Sequence, residues 1–378
     1  MIYLDNNATT QLDERVLEVM QPFFRSFYAN PSSLHKLGRL SRGAVETARE
    51  QVAGLVGTSP AQVVFTSGGT ESNNLAIKGF STTRPNGRIV IGATEHASLI
   101  EPATALEQDG WAIDRLSVDS DGIFDTESVE KCIGKQPVLA SLMHANNETG
   151  VIQDISALVD RFRCSSIPVH SDAVQAIGKI PVNFEQSGLN LMSVSAHKIF
   201  GPKGAGALIV DKSMDLQAIL HGGGQEKGLR GGTENVAAIV GFGKAAELAR
   251  SEMQTRSELL MKLRIQLEQG LATNPAISIF SKNVARLPNT VMFGANNIDG
   301  EMMVMELDRS GIAVSSGSAC NSKGNEPSPV LSAMGVTPDL AKSAVRVSLG
   351  PENTAQEIEQ FLDAIVRLVP KNTLEENI

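Results

Sequence analysis

The stretch Leu191-Met192-Ser193-Val194-Ser195-Ala196-His197-Lys198 is a short apolar run that ends on a histidine and a lysine. Upstream, Val169-His170-Ser171 leads in the same way into Asp172. Further out, Val63–Thr66 precedes Ser67-Gly68-Gly69-Thr70-Glu71-Ser72, and Arg88–Ile91 precedes Thr94-Glu95-His96. Val138–Met143 precedes His144-Ala145-Asn146-Asn147-Glu148-Thr149-Gly150, and Gly206–Val210 follows the lysine. Continuous apolar runs of this length fit strands buried on both faces, as in a mostly parallel sheet. Between them, 12–27, 39–56, 71–79, 98–109 and 154–163 carry apolar residues at three- and four-residue spacing, the mark of helices. The pattern predicts an α/β fold. In such sheets ligands bind beyond the carboxyl ends of the strands, so the residues just after each strand are the candidates for chemistry.

The chain has 378 residues, which suggests two domains at about 150 residues each. A long helical stretch over 233–271 is the expected bridge to a second unit. That unit has short strands near Ile277, Val291, Ala313 and Val345, and helices over 301–308 and 355–369. Lys and Arg number 33 against 42 Asp and Glu, a net charge of −9. That balance argues against direct binding of nucleic acid or an anionic membrane. No apolar run reaches the roughly 18 residues of a membrane span, and the start MIYLDNNATT does not read as a signal peptide. Cys132, Cys164 and Cys320 are too far apart for a disulfide framework or a zinc site, so a reducing, cytoplasmic setting is expected and no metal.

Taken alone, Gly68-Gly69-Thr70 is as well explained by an ordinary glycine turn, and Lys198 by an exposed loop lysine. Taken in order, the glycine turn offers backbone N–H groups to a phosphate. Lys198, held between apolar segments, can form a Schiff base. Asp172 can keep a pyridinium nitrogen protonated. Together these three needs describe pyridoxal 5′-phosphate (PLP). Cys320 lies in Ser315-Ser316-Gly317-Ser318-Ala319-Cys320, a small, polar stretch that cannot bury it well, which makes it a candidate nucleophile. For Cys132 and Cys164 a structural role is expected.

These strings, with Leu4 to Thr10, Asn30 to His35, Arg230-Gly231-Gly232-Thr233-Glu234-Asn235 and Arg346, resemble the cysteine desulfurases of the NifS/IscS-like group nearly end to end. That group lies within the class V, fold-type I PLP enzymes. The resemblance implies a large PLP-binding domain over 12–255 with a mostly parallel central sheet. It implies a smaller α+β domain from 1–11 and 256–378 that carries the Cys320 loop. The 26 residues from Cys320 to Arg346 resemble the long-loop members.

The resemblance also implies roles. Lys198 would hold PLP as an internal aldimine, Asp172 would pair with the pyridine nitrogen, and Gln175 would meet the phenolic oxygen. His96 would stack on the ring and transfer protons. Gly69, Thr70, Ser195 and His197 would hold the phosphate, with Thr233 reaching in from the partner subunit of a homodimer. Asn147 and Arg346 would take the substrate carboxylate, which Arg meets bidentately. L-cysteine would become L-alanine through an external aldimine, leaving a persulfide on Cys320. The sulfur would pass to an acceptor protein serving iron–sulfur cluster assembly, tRNA thiolation or DNA phosphorothioation. Another class V enzyme, an aminotransferase or selenocysteine lyase, is the alternative, because one fold hosts many chemistries. Cys320 discriminates, since a transaminase has no use for it.

Overall fold

The computed structural model describes residues 1–296, 298–317 and 327–370. The strands in chain order are β1 (Ile2–Tyr3), β2 (Val63–Thr66), β3 (Arg88–Gly92), β4 (Ala112–Leu116), β5 (Leu139–Ser141), β6 (Val169–Asp172) and β7 (Leu191–Ser195). They continue with β8 (Gly206–Val210), β9 (Ile277–Ile279), β10 (Thr290–Ala295), β11 (Ile312–Ala313), β12 (Ser315–Ser316) and β13 (Val345–Ser348). A seven-stranded sheet runs in the order β2-β8-β7-β6-β5-β3-β4. Every pair in it is parallel except the two made by β8. The connection 196–205 is too short for a parallel crossover, which takes a dozen or more residues, so β8 returns antiparallel. Because β8 reverses twice, β2 again points along β7. The ends of β2, β3, β5, β6 and β7 therefore open on one edge.

Alternate residues of these strands bury on opposite faces. Phe65, Val90, Ala140 and Met192 belong to one apolar layer and Val64, Ile89, Leu139 and Leu191 to the other. Expected and observed strands coincide for β2, β7 and β8. The sequence reading has no strand at β4 because that edge strand alternates poorly. Its Asp114 is there to pair with Arg88 and Lys135 at 2.8 and 2.9 Å. The helix expected over 71–79 begins earlier, at Gly69, and changes to a π turn at Leu75–Gly79.

A second sheet, β12-β13-β10-β9, is antiparallel throughout, and β1 pairs with β11 beside it. The helix Val236–Leu271 joins the two cores. Its first half buries Phe242, Ala245 and Ala249 against the seven-stranded sheet, with Phe242 edge-on to Phe65 at 6.3 Å. Its second half buries Leu260, Leu263 and Leu267 with Phe293 and Phe361. The helix starts at Val236 rather than Thr233, because the Asn235 side chain caps it by accepting the Ala238 N–H. Among the described residues no helix is long and apolar enough to cross a membrane.

Two buried contacts fix the loops around the sheet edge. The Arg49 guanidinium donates to both Glu226 oxygens at 2.7 and 2.8 Å and to the Val63 carbonyl at 3.0 Å. Glu226 also accepts the Phe65 N–H and stands at φ 44°, left-handed backbone that a non-glycine residue adopts only when held. The Ser328 hydroxyl, which caps the helix Pro329–Ala333, donates to the fully buried Glu148 carboxyl. This joins the end of β5 to the second unit.

Glu226→Ala leaves the buried Arg49 with only the exposed Glu46, at 3.3 Å, as counter-ion. It should lower stability by about 3–5 kcal/mol in urea unfolding; a loss below about 1 kcal/mol would mean that Glu46 and water satisfy the guanidinium. Burial pushes Glu148 up to about 7, although Ser328 and Arg346 pull it down. The folded protein then keeps a proton that the unfolded chain releases above its usual 4.5, so stability falls as pH rises from 4.5 to about 7. Glu148→Gln should remove that slope, gaining up to about 3 kcal/mol on wild type between about pH 5 and pH 7.5. Parallel stability profiles for the two proteins would rule out a buried, protonated Glu148.

Candidate active site

The sheet edge gathers most of the expected residues. Asp172 closes β6, where its Oδ1 accepts the Val174 N–H at 3.0 Å and its Oδ2 accepts the Asn73 amide at 2.7 Å. Asn73 also donates to the Ser98 hydroxyl at 2.8 Å, while its Oδ1 is buried without a partner. Ser98 in turn lies 2.8 Å from His96 Nδ1. That nitrogen also accepts the Ser98 backbone N–H at 3.1 Å, so a neutral His96 carries its proton on Nε2. Burial lowers the His96 pKa, Asp172 opposes this, and the Lys198 and Arg346 cations reinforce it. His96 is thus neutral at neutral pH and turned by a chain of donors that starts at Asn73.

The turn after β2 admits no side chain. Gly68 stands at φ 155°, and a Cβ on Gly69 would lie 2.9 Å from Val174 Cγ2. On the neighbouring strand, a Cβ on Gly206 would meet Gly68 Cα at 2.6 Å. The Ser195 hydroxyl sits under this turn, buried and without a partner. Thr70 is exposed above it. His197 Nδ1 lies 3.2 Å from the Thr9 hydroxyl, and burial with Lys198, Lys203 and Lys179 nearby pulls the ring down to about 4.

Lys198 follows β7 and reaches the carbonyls of Asn7 and Ala8 at 2.6 and 2.8 Å. Gln175 donates to the same Asn7 carbonyl at 2.9 Å and accepts from the buried Lys179. Arg346, on β13, comes from the second sheet. It pairs with Asp5 at 2.7 Å and donates to the Asn147 carbonyl at 3.1 Å, while its buried Nε has no partner. Asn147 and Arg346 are therefore neighbours, as expected. Thr233 is exposed, and among the described residues no hydrogen bond ties it to the others of the set within its own chain. Its segment does reach the glycine turn, because Arg230 pairs with Glu71 at 3.0 Å and Glu71 accepts the Ser67 N–H. Cys320 lies outside the described residues.

The sequence reading gives no role to several residues that the site depends on. Asn7 and Asn73 are legible only as members of polar strings, and Lys179 lies in none of them. Glu95, beside His96, is fully buried and accepts the Met143 N–H at 2.6 Å, while its second oxygen has no partner. Burial, and then Asp172, push its carboxyl well above the usual range, against the pull of the Met143 and Gly92 backbone N–H groups.

The site fits PLP on its own observations. An unpartnered buried hydroxyl faces a turn that must be glycine, and an anchored carboxylate and a lysine stand on the two adjoining strand ends. Among the described residues no cluster of three His, Cys, Asp or Glu could hold a metal ion. The class-V aminotransferase model matches residues 2–361. A protein from Dictyoglomus turgidum named cysteine desulfurase IscS is 42% identical over 376 residues, covering 98% of this chain and 95% of that one. A protein from a Nostoc species named cysteine desulfurase is 41% identical over 373 residues, covering 98% and 93%. A solved structure titled NifS-like protein superposes with a TM-score of 0.91 at 38% identity, covering 97% and 98% of the two chains. The anchored aspartate, the strand-end lysine and the glycine turn are thus set in a chain that belongs to the class-V aminotransferase family, among its PLP-dependent cysteine desulfurases.

Proposed function

We propose that the residues at this edge divide the desulfurase reaction among them, and that Cys320 takes the sulfur of L-cysteine and hands it to an acceptor protein. The observation that carries this reading is Ser195 Oγ, buried and unpartnered beneath the glycine turn at the edge that also holds Asp172 and Lys198. Lys198 is the Schiff-base lysine and Asp172 faces the pyridine nitrogen. Gln175 meets the phenolic oxygen. Gly69, Thr70, Ser195 and His197 take the phosphate. PLP, when bound, supplies the electron sink for charge that develops at the substrate Cα.

His96 moves protons at the substrate. Its fixed tautomer presents an Nε2–H donor, and burial holds the ring in its neutral form at neutral pH. Arg346 and Asn147 orient the substrate carboxylate. Two of the five guanidinium donors are engaged by Asp5 and Asn147, and the unpartnered Nε supports a third interaction with a ligand. Cys320 then attacks the substrate sulfur as a thiolate. The S–S bond forms, the Cβ–S bond breaks, and the electron pair left on carbon is protonated to give L-alanine, leaving the persulfide.

We further propose a division of labour between 12–255, which holds PLP, and 1–11 with 256–378, which carries the Cys320 loop. The separate cores of the two sheets support it. We propose a homodimer in which Thr233 completes the partner's phosphate site. Phe24, Tyr28, Leu34 and Leu40, large apolar side chains left exposed on one segment, support an interface there. A thiol nucleophile works in a reducing compartment, so we place the protein in the cytoplasm.

The purified yellow protein with L-cysteine and a reductant should release sulfide and alanine in equal amounts. Cys320→Ala should keep the cofactor absorbance and lose sulfide release, and Lys198→Ala should stop turnover. Full desulfuration by Cys320→Ala would reject its role. Arg346→Lys keeps the charge and loses the planar fork, so kcat/KM for L-cysteine should fall about 10- to 100-fold, mainly through KM. An unchanged KM would move the carboxylate elsewhere.

A further inference from the structure

Lys179 lies buried on the turn that leaves Asp172, and among the described residues no carboxylate is one of its hydrogen-bond partners. Its Nζ lies 2.5 Å from Gln175 Oε1 and 3.1 Å from Asn7 Oδ1. The orientation of both amides is fixed from their other ends. Gln175 Nε2 lies 2.9 Å from the Asn7 carbonyl, and Asn7 Nδ2 lies 3.2 Å from the Asn147 carbonyl. A carbonyl oxygen only accepts, so each amide must place its nitrogen there and its oxygen on Lys179. Lys179 therefore donates twice. Burial, with the Lys198 and Arg346 cations nearby, pulls its ammonium well below the usual lysine range. With or without its third proton, the amine has the two N–H groups this arrangement uses.

We infer that Lys179 is a positioning residue for the cofactor. By holding Gln175 Oε1 and Asn7 Oδ1, it keeps the Gln175 NH₂ group turned to the site. One N–H of that group goes to the Asn7 carbonyl, and the second is left for the phenolic oxygen of PLP. Without Lys179, the Gln175 amide loses one of the two partners that make its flipped form unfavourable, the other being the Asn7 carbonyl. The inference rests on the reading of Gln175 given above.

The test is the pH midpoint of the visible absorption of the PLP-bound protein. The titrating proton is shared between the Lys198 nitrogen and the phenolic oxygen. A donor to that oxygen favours the deprotonated form, so losing the donor raises the midpoint. Gln175→Leu should raise it by about one pH unit, and Lys179→Met should raise it by a similar amount. The double variant should lie no higher than Gln175→Leu alone. A midpoint that moves with Gln175→Leu but not with Lys179→Met overturns the inference, and so do fully additive shifts, which would mean that Lys179 acts through its own charge. A midpoint untouched by Gln175→Leu overturns the reading of Gln175 itself. Should Lys179→Met not hold PLP, Lys179→Gln carries the same comparison. A shift that vanishes in the Gln175→Leu background supports the inference, and one that adds overturns it.

Discussion

The site depends on the saturation of one buried side chain, Asn7. A buried polar group must find partners, and Asn7 finds them on both sheets. Its N–H donates to Ser348 and its amide nitrogen to Thr290, while Asn289 donates to its amide oxygen. All three belong to the second unit. Its amide nitrogen also reaches the Asn147 carbonyl, its amide oxygen receives Lys179, and its carbonyl receives Gln175 and Lys198. These four come from the large sheet's edge. The strand ends and the second sheet are thereby held in register through one residue. The N-terminal segment that carries it is tied on by the β1–β11 pairing and the Asp5–Ser348 bridge.

Around this hub, low dielectric decides which groups keep charge. Glu95, Glu148, His96, His197 and Lys179 are each pushed toward the neutral form, and burial is the largest cause in every case. Desolvation wins wherever no counter-ion stands within hydrogen-bond reach. Arg346 has one in Asp5. A pocket so arranged has few fixed charges of its own. An arriving phosphate or carboxylate meets hydrogen-bond donors there.

The parts of this legible in the sequence are those with strong local patterns. Four- and five-residue apolar runs placed β2, β7 and β8, because strands buried on both faces need no partner pattern to be recognised. Ordered strings placed Lys198, Asp172, Gln175, Asn147 and Arg346. What escaped was either half-exposed, as at β4, or defined by long-range pairing. Nothing local distinguishes Lys179 from a surface lysine; its burial follows from Asn7, more than 170 positions away. Asn73 is likewise one of two adjacent asparagines in Asn73-Asn74. Asn73 turns inward to Asp172, whereas Asn74 reaches back to the Thr70 carbonyl. Helix geometry separates them, and composition does not.

Arg346, the proposed carboxylate anchor, shows how substrate binding would be joined to this framework. Its two engaged donors hold Asp5 and the Asn147 carbonyl, and each of these partners lies beside Asn7, one by sequence and one by the Asn7–Asn147 hydrogen bond. A carboxylate that engages the guanidinium therefore meets a group already oriented from two sides. It need not displace Asp5 to do so, because the planar fork has N–H groups to spare. The ordering entropy of a long side chain is already met in the folded protein, which leaves more of the interaction for affinity. The same contacts explain why Arg346 can come from the second sheet and still be placed accurately against residues of the first. The hub sets the distance between the sheets, and Arg346 is fastened to the hub's own neighbours.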